Sequence, residues 1–266
     1  MKTFHIVIAA VLSALFFVSC GPSKEATDIP GELKGPPARI TSTVKVLSIN
    51  LAHSLQDKTG VRLFADWVRS TGAEVVAVQQ ITRSTDSKPG FDAFSELLQR
   101  LDMRGTFAKA RYYQGWDSGN ALFCMYPLLQ SNVYPLPAGS GKVRRSLSFG
   151  LFELGLTPVA FASTDLDDDD AAERSRQVAE ILSIQKSLEE YPMIVTGNFG
   201  ERINGKASAR MTARYESSHV AAEPLATINQ HLYIPAGKNM SIVSAEKMTY
   251  APTKQNGLLV TIEIFQ

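Results

Sequence analysis

The stretch VTGNFGER (195–202) closes the apolar run YPMIVTGNFG and reads as a buried strand stopping at a glycine turn. Strand ends of this kind are where α/β enzymes place their chemistry. Here the strand end offers Asn198 and Gly200, neither of which carries a charge. Taken alone, Asn198 reads as a turn residue, since an asparagine side chain readily bonds the backbone two residues on.

Upstream of this strand the residues DDAAERSRQVAEILSIQKSLEE (169–190) form a long helical pattern, with the acidic run LDDDDAAER (166–174) at its start. That run lacks the spaced oxygen ligands and the glycine of a calcium loop, so it is read as the anionic start of a helix. Further out, VKVLSIN (44–50) and EVVAVQQ (74–80) read as strands. The helices VRLFADWVRSTG (61–72) and FDAFSELLQRLD (91–102) follow them in turn. RGTFAKARYY, GNALFCMYPLLQSNVY, SLSFGLFEL and PVAFAST succeed one another as strand-like runs without helices between them. NQHLYIPA, NMSIVSAEKM and GLLVTIEIF complete the chain. Helices interspersed with hairpin runs predict mixed sheets in an α/β or α+β sandwich, with the first and last strands both free to be central.

The N-terminal segment MKTFHIVIAAVLSALFFVSC has a basic start at Lys2, an apolar run over 6–18 and a terminal Ser19-Cys20. The run is too short for a comfortable transmembrane helix and reads as a targeting signal. FVSC resembles a bacterial lipobox, which implies lipidation of Cys20 and a lipid-anchored protein of the bacterial cell envelope, at the outer membrane. Residues 1–19 are then a signal peptide. The Pro-, Gly- and charge-rich residues 20–40 are a tether, and 41–266 form one domain. Cys124, in the apolar run ALFCMY, is read as a buried inert thiol. With 27 basic and 26 acidic residues, the charge balance has no electrostatic footprint for nucleic acid.

The succession VLSIN, VVAVQQ, GNALFCMYPL, FASTDL, IVTGNFG, QHLYIP and QNGLLV resembles the endonuclease/exonuclease/phosphatase family across nearly all of 41–266. The resemblance implies a four-layer sandwich of two mixed β-sheets flanked by helices, with the site at one edge. It also implies divalent-metal-dependent phosphoester hydrolysis and assigns positions to the chemistry. Asn50 matches the Asn of the first strand, and Gln80 stands for a metal-ligating Glu. Asp165 follows Thr164 where a His is expected, and Gly-Asp-x-Asn appears as Gly197-Asn198-Phe199-Gly200. The Asp of the next strand is Gln230, before His231, and the closing Ser-Asp-His appears as Gln255-Asn256-Gly257.

Four acids are thus exchanged for amides, and Mg²⁺ or Mn²⁺ loses the carboxylates that offset its desolvation. Asp165, an anion in place of a cation, is expected to repel phosphate. Two unit charges ~4 Å apart interact by about 4 kcal/mol at an effective dielectric of 20. The resulting expectation is a pseudoenzyme without cofactor. Its cleft, lined by Asn50, Gln80, Asn198, Gln230 and Asn256, would take a neutral polar ligand such as a glycan, or a protein partner. The alternative is a Mg- or Mn-dependent phosphodiesterase with a rearranged site built on Asp165, Glu201 and Asp117.

Tyr112, Tyr113 and Trp116, in ARYYQGWDSGN, form an aromatic loop that could stack on sugar rings or simply pack. Arg144 and Arg145 could bind an anion in the cleft, though a solvated loop is the simpler reading. His53, His219 and His231 show no metal-binding spacing, and His231 is read as structural.

Overall fold

Alternation of apolar residues decides which way each strand faces. In β1 (Thr41–Asn50), Val44 and Val46 join one buried cluster while Leu47 and Ile49 join another. β2 (Val75–Arg83) divides in the same way, Val75 and Ala77 against Val76 and Val78. Both strands are therefore buried on both faces, which requires a layer above and a layer below. The computed structural model describes residues 41–85, 90–188, 190–221 and 223–265. The expected signal segment, Cys20 and the tether lie outside the described residues.

Between β1 and β2 runs α1 (Lys58–Thr71), and α2 (Ala93–Leu101) follows β2. β3 (Arg104–Tyr113) and β4 (Trp116–Cys124) complete the first sheet together with the terminal pair, β11 (Met240–Tyr250) and β12 (Gln255–Phe265). Its order is β11-β12-β1-β2-β4-β3. The second sheet comprises β5 (Leu128–Leu136), β6 (Arg145–Leu154), β7 (Thr157–Asp165), β8 (Met193–Asn198), β9 (Tyr215–Ser217) and β10 (Gln230–Pro235). It is ordered β5-β6-β7-β8-β10-β9. α3 (Ala171–Ser187) links β7 to β8, and α4 (Lys206–Thr212) follows β8. β1 and β12 are both interior strands, as expected.

One apolar core lies between the sheets, and one lies under each helix pair. This is the expected four-layer sandwich of mixed sheets. Each sheet contains one parallel pair, β1 with β2 and β7 with β8, each joined by a helix. The four parallel strands run to the same edge, so Asn50, Gln80, Asp165 and Asn198 all arrive there.

Three differences from the sequence expectation have simple causes. The helices begin where an aspartate caps them and not where the apolar pattern starts. Asp57 accepts from Gly60 N, Asp92 from Ser95 N, and Asp170 from Ala172 and Glu173 N. The run 119–134 is two strands in different sheets, broken at 125–127, where the chain crosses the sandwich. α4 and β9, at seven and three residues, are too short to leave a periodic pattern. Cys124 is fully buried, and burial pushes its thiol up to about 12, in line with an inert side chain.

His231 is held inside the second sheet. Its Nε2 donates to the Glu201 carbonyl at 2.8 Å, which leaves Nδ1 to accept from Tyr233 Oη at 3.2 Å. His219 stacks on it with centroids 4.4 Å apart, a meeting that no spacing in the sequence announces. Burial lowers His231 from 6.5 to about 3, with the neighbouring His219 adding to the effect. Burial likewise lowers His53 from 6.5 to about 4, with Arg111 contributing.

Both rings are neutral in the fold and protonated in the unfolded chain once the pH drops below 6.5. Stability carried by the neutral rings is therefore complete above 6.5 and lost as pH falls toward about 4 and then about 3. Urea titrations across this range should show the unfolding free energy falling by up to about 1.4 kcal/mol per pH unit per histidine. His231→Gln should flatten that slope relative to the wild type.

Candidate functional site

Strand parity and register set the site. Asn50 continues the inward face of Val44, Val46 and Ser48, and Asp165 that of Val159, Phe161 and Ser163. In the second sheet Asp165 pairs with Asn198, and Asn198 with Gln230, so these three form one row across β7, β8 and β10. Gln80 has the wrong parity, lying between Gln79 and Ile81 at a register shift. A bulge there, with Gln80 at φ 54°, turns its side chain to the site edge.

The two glycines of VTGNFGER are required by close approach. At Gly197, φ 142°, a Cβ would lie 1.9 Å from the Thr164 carbonyl oxygen. Gly200, φ 63°, would meet the Asp167 carbonyl at 2.4 Å.

These side chains converge on one carboxylate. Asp165 Oδ1 accepts from Asn50 Nδ2 at 3.1 Å and from Asn198 Nδ2 at 2.8 Å. Its Oδ2 accepts from Gln80 Nε2 at 3.2 Å and from Arg145 at 2.5 Å. Arg145 also reaches Asp168 at 3.4 Å, and Asn198 Nδ2 contacts Asp168 at 3.2 Å. Arg145 and Asp165 are both buried. Burial pushes the Asp165 carboxyl above the usual carboxylate range. Arg145 and the amides of Asn198 and Gln80 oppose that shift, while Asp168 adds to it.

Asn50 and Asn198 use their other ends on their own turns, accepting from Ala52 N at 2.9 Å and Gly200 N at 3.1 Å. The turn reading of Asn198 therefore holds, and its role at the hub is added to it.

Above this hub lies a hollow of about 540 Å³. Asn50, Gln80, Asn198, Gln230 and Asn256 line it, together with Asp168, Arg202 and Lys254. Asp165 does not line the hollow and sits beneath its floor. The expected repulsion of phosphate is corrected accordingly: the charge is countered by a guanidinium and three amides.

Gly257 also stands apart from the hollow. It shares parity with Leu259, and a Cβ there would face Ile49 at 3.3 Å on the helix side of the sheet. Gly200 is a turn residue and is not part of the lining. Arg145 is neither solvated nor in the hollow, because Asp165 draws it beneath the floor. Arg144 is exposed.

The aromatic loop is displaced from the hollow too. Tyr113 stacks on His53 at 3.7 Å, Tyr112 lies under Lys109, and neither these nor Trp116 line it. The three carboxylates proposed for a rearranged site are scattered. Glu201 pairs with Arg174 at 3.2 Å, and Asp117 with Lys109 at 2.7 Å.

Sequence reading missed Asp168, Arg202 and Lys254. Asp168 was hidden in an acidic run whose other members do cap the helix, Asp167 accepting from Asp169 and Asp170 N and Asp170 from Ala172 and Glu173 N.

Several solved structures share this architecture. One is an endonuclease/exonuclease/phosphatase from Beutenbergia cavernae, at TM-score 0.67 and 14% identity over 84% of this chain and 72% of that one. The human Nocturnin catalytic domain matches at 0.66 and 18%, over 88% and 100%. This chain has the endonuclease/exonuclease/phosphatase fold. A mannosyl-6-phosphatase from Bacteroides thetaiotaomicron shares that fold at 0.63 and 13%, over 82% and 99%. No family profile matches the sequence, and no curated protein does.

Divalent-metal chemistry is what the endonuclease/exonuclease/phosphatase resemblance implies, and the donor set here does not fit it. Asn50 and Asn198 turn their NH₂ groups to Asp165 and their oxygens to backbone amides. Gln230 Oε1 accepts from Ser48 Oγ at 2.8 Å, and Asn256 Oδ1 from Thr249 Oγ1 at 3.0 Å. Among the described residues no group of three or more His, Cys, Asp or Glu could hold a metal ion.

The hub makes a definite demand at position 198. Asn198→Asp places a second carboxylate about where Nδ2 now donates, 2.8 Å from Asp165. It should destabilise the fold by about 3–5 kcal/mol, the cost of an uncompensated buried charge. The exchange pair Asn198→Asp with Asp165→Asn should recover most of that loss. A denaturant double-mutant cycle reads the coupling, and simple additivity would refute the hub.

Proposed function

We propose that this chain is a lipid-anchored envelope protein whose domain binds a polar ligand in the hollow and does not hydrolyse phosphoesters. The observation that carries this reading is the direction of the amides. Asn50, Gln80 and Asn198 are committed as donors to Asp165, whereas a divalent ion would need oxygens turned toward it. Loading a metal against Asp165 would also mean displacing the Arg145 guanidinium.

Retention of a working hollow is supported by backbone strain. Ala52, Gln80 and Lys254 are three of the six non-glycine residues with positive φ among the described residues, and all three line it. Conformations of this kind cost about 1–3 kcal/mol each and persist where something requires them. The neighbour named a mannosyl-6-phosphatase agrees with a sugar as the class of ligand.

Calorimetric titration of Mg²⁺ and Mn²⁺ into the full chain tests the reading. The expected outcome is no saturable heat up to millimolar ion and no metal-dependent turnover of phosphodiesters or phosphomonoesters. A micromolar site, or cleavage abolished by Asp165→Asn, would restore the hydrolase. Anchoring has its own test: metabolic labelling with an alkyne fatty acid should mark the wild type, and Cys20→Ala should lose the label.

A further inference from the structure

We infer that the hollow takes a sugar bearing a single negative charge, a carboxylate or a sulfate ester, and that Arg202 and Lys254 hold that charge. The inference rests on the proposed polar-ligand reading and names the ligand's chemistry.

Two observations carry it. The first is the balance of donors and acceptors. Gln230 and Asn256 have their amide oxygens taken by Ser48 and Thr249, so the NH₂ ends are what these residues have left for a ligand. Arg202 and Lys254 add only donors. Asp168 is the one charged acceptor among the described lining residues, so charged donors outnumber charged acceptors there, and a partner with hydroxyls and an anionic group matches that balance.

The second observation is charge. Arg202 leaves the loop after β8, in the second sheet, and Lys254 the turn between β11 and β12, in the first. The two cations thus enter the hollow from opposite sheets. Neither makes an ion pair among the described residues, where ten other ion pairs form. Lys254 closes the β11–β12 turn at φ 56°, an uncommon conformation for a non-glycine residue.

Among the residues that line the hollow, Arg202 and Lys254 stand against Asp168, a surplus of one positive charge, with the Arg145–Asp165 pair beneath the floor. One anionic group would neutralise it. A phosphate monoester, with nearly two charges at neutral pH, would overshoot beside Asp168.

Glycan binding to the full chain separates the alternatives. The probes are galacturonic acid and glucose 6-sulfate as monoanions, neutral glucose, and glucose 6-phosphate against the 6-sulfate. At least one of the two monoanionic sugars should bind at least about tenfold more tightly than glucose, and more weakly as salt rises. Arg202→Gln and Lys254→Gln should each weaken that binding about fivefold to tenfold, the scale of one charge-assisted contact. Lys247→Gln, on exposed β11, should leave it unchanged.

The carboxylate and sulfate arms identify which anion is preferred. Equal binding of the neutral sugar, indifference to both substitutions, no retained acidic sugar, or glucose 6-phosphate binding better than the 6-sulfate would each overturn the inference. Hydrolysis of glucose 6-phosphate would instead overturn the non-hydrolytic reading itself.

Discussion

Everything at the functional edge is arranged around the buried carboxylate of Asp165. A lone ionised acid beneath a cavity floor would be very costly, so its neighbours are set by the need to satisfy it. Arg145 supplies the opposing charge, while Asn50, Gln80 and Asn198 supply three further donors. Those donors come from four different strands and both sheets, so the interaction also ties the two halves of the sandwich together at that edge. An amide at the end of β8 is the consequence: a carboxylate there would face Asp165 across a hydrogen-bond distance.

The amides at 80 and 198 and the acid at 165 therefore form one interaction, while Gln230 and Asn256 bond elsewhere, to Ser48 and Thr249. In the pattern that the chain resembles, acids at the strand ends surround a cation. Here the surrounding groups donate, and the centre is the acid. This polarity is the reverse of what the resemblance implies, on an endonuclease/exonuclease/phosphatase fold. An inverted centre binds its own side chains, and the surface left above it faces outward with donors and cations.

Much of this was legible in order and parity. Alternation in VKVLSIN, PVAFASTD and PMIVTGN places Asn50, Asp165 and Asn198 on the inward face at strand ends. The same rule would have placed Gly257 outward, with Leu259, and so away from the site. Gln80 breaks the rule because a bulge adds one residue, and its left-handed backbone is not encoded by any glycine. Arg145 looked like loop because it sits in a basic, glycine-flanked stretch. Its burial depends on an acid 20 residues away. The aromatic loop looked like a sugar platform from composition alone, but Tyr113 is already stacked on His53.

By itself the sequence determined the layers, the strand ends and the amides that stand at them where the resemblance implies acids. Apolar periodicity and residue identity are local quantities that survive without coordinates. Only the tertiary structure decided where Asp165 points, which charges remain unpaired, and that Arg202 and Lys254 meet across one hollow. Those outcomes depend on groups far apart in the chain, brought within a few ångströms by strand register and by one bulge.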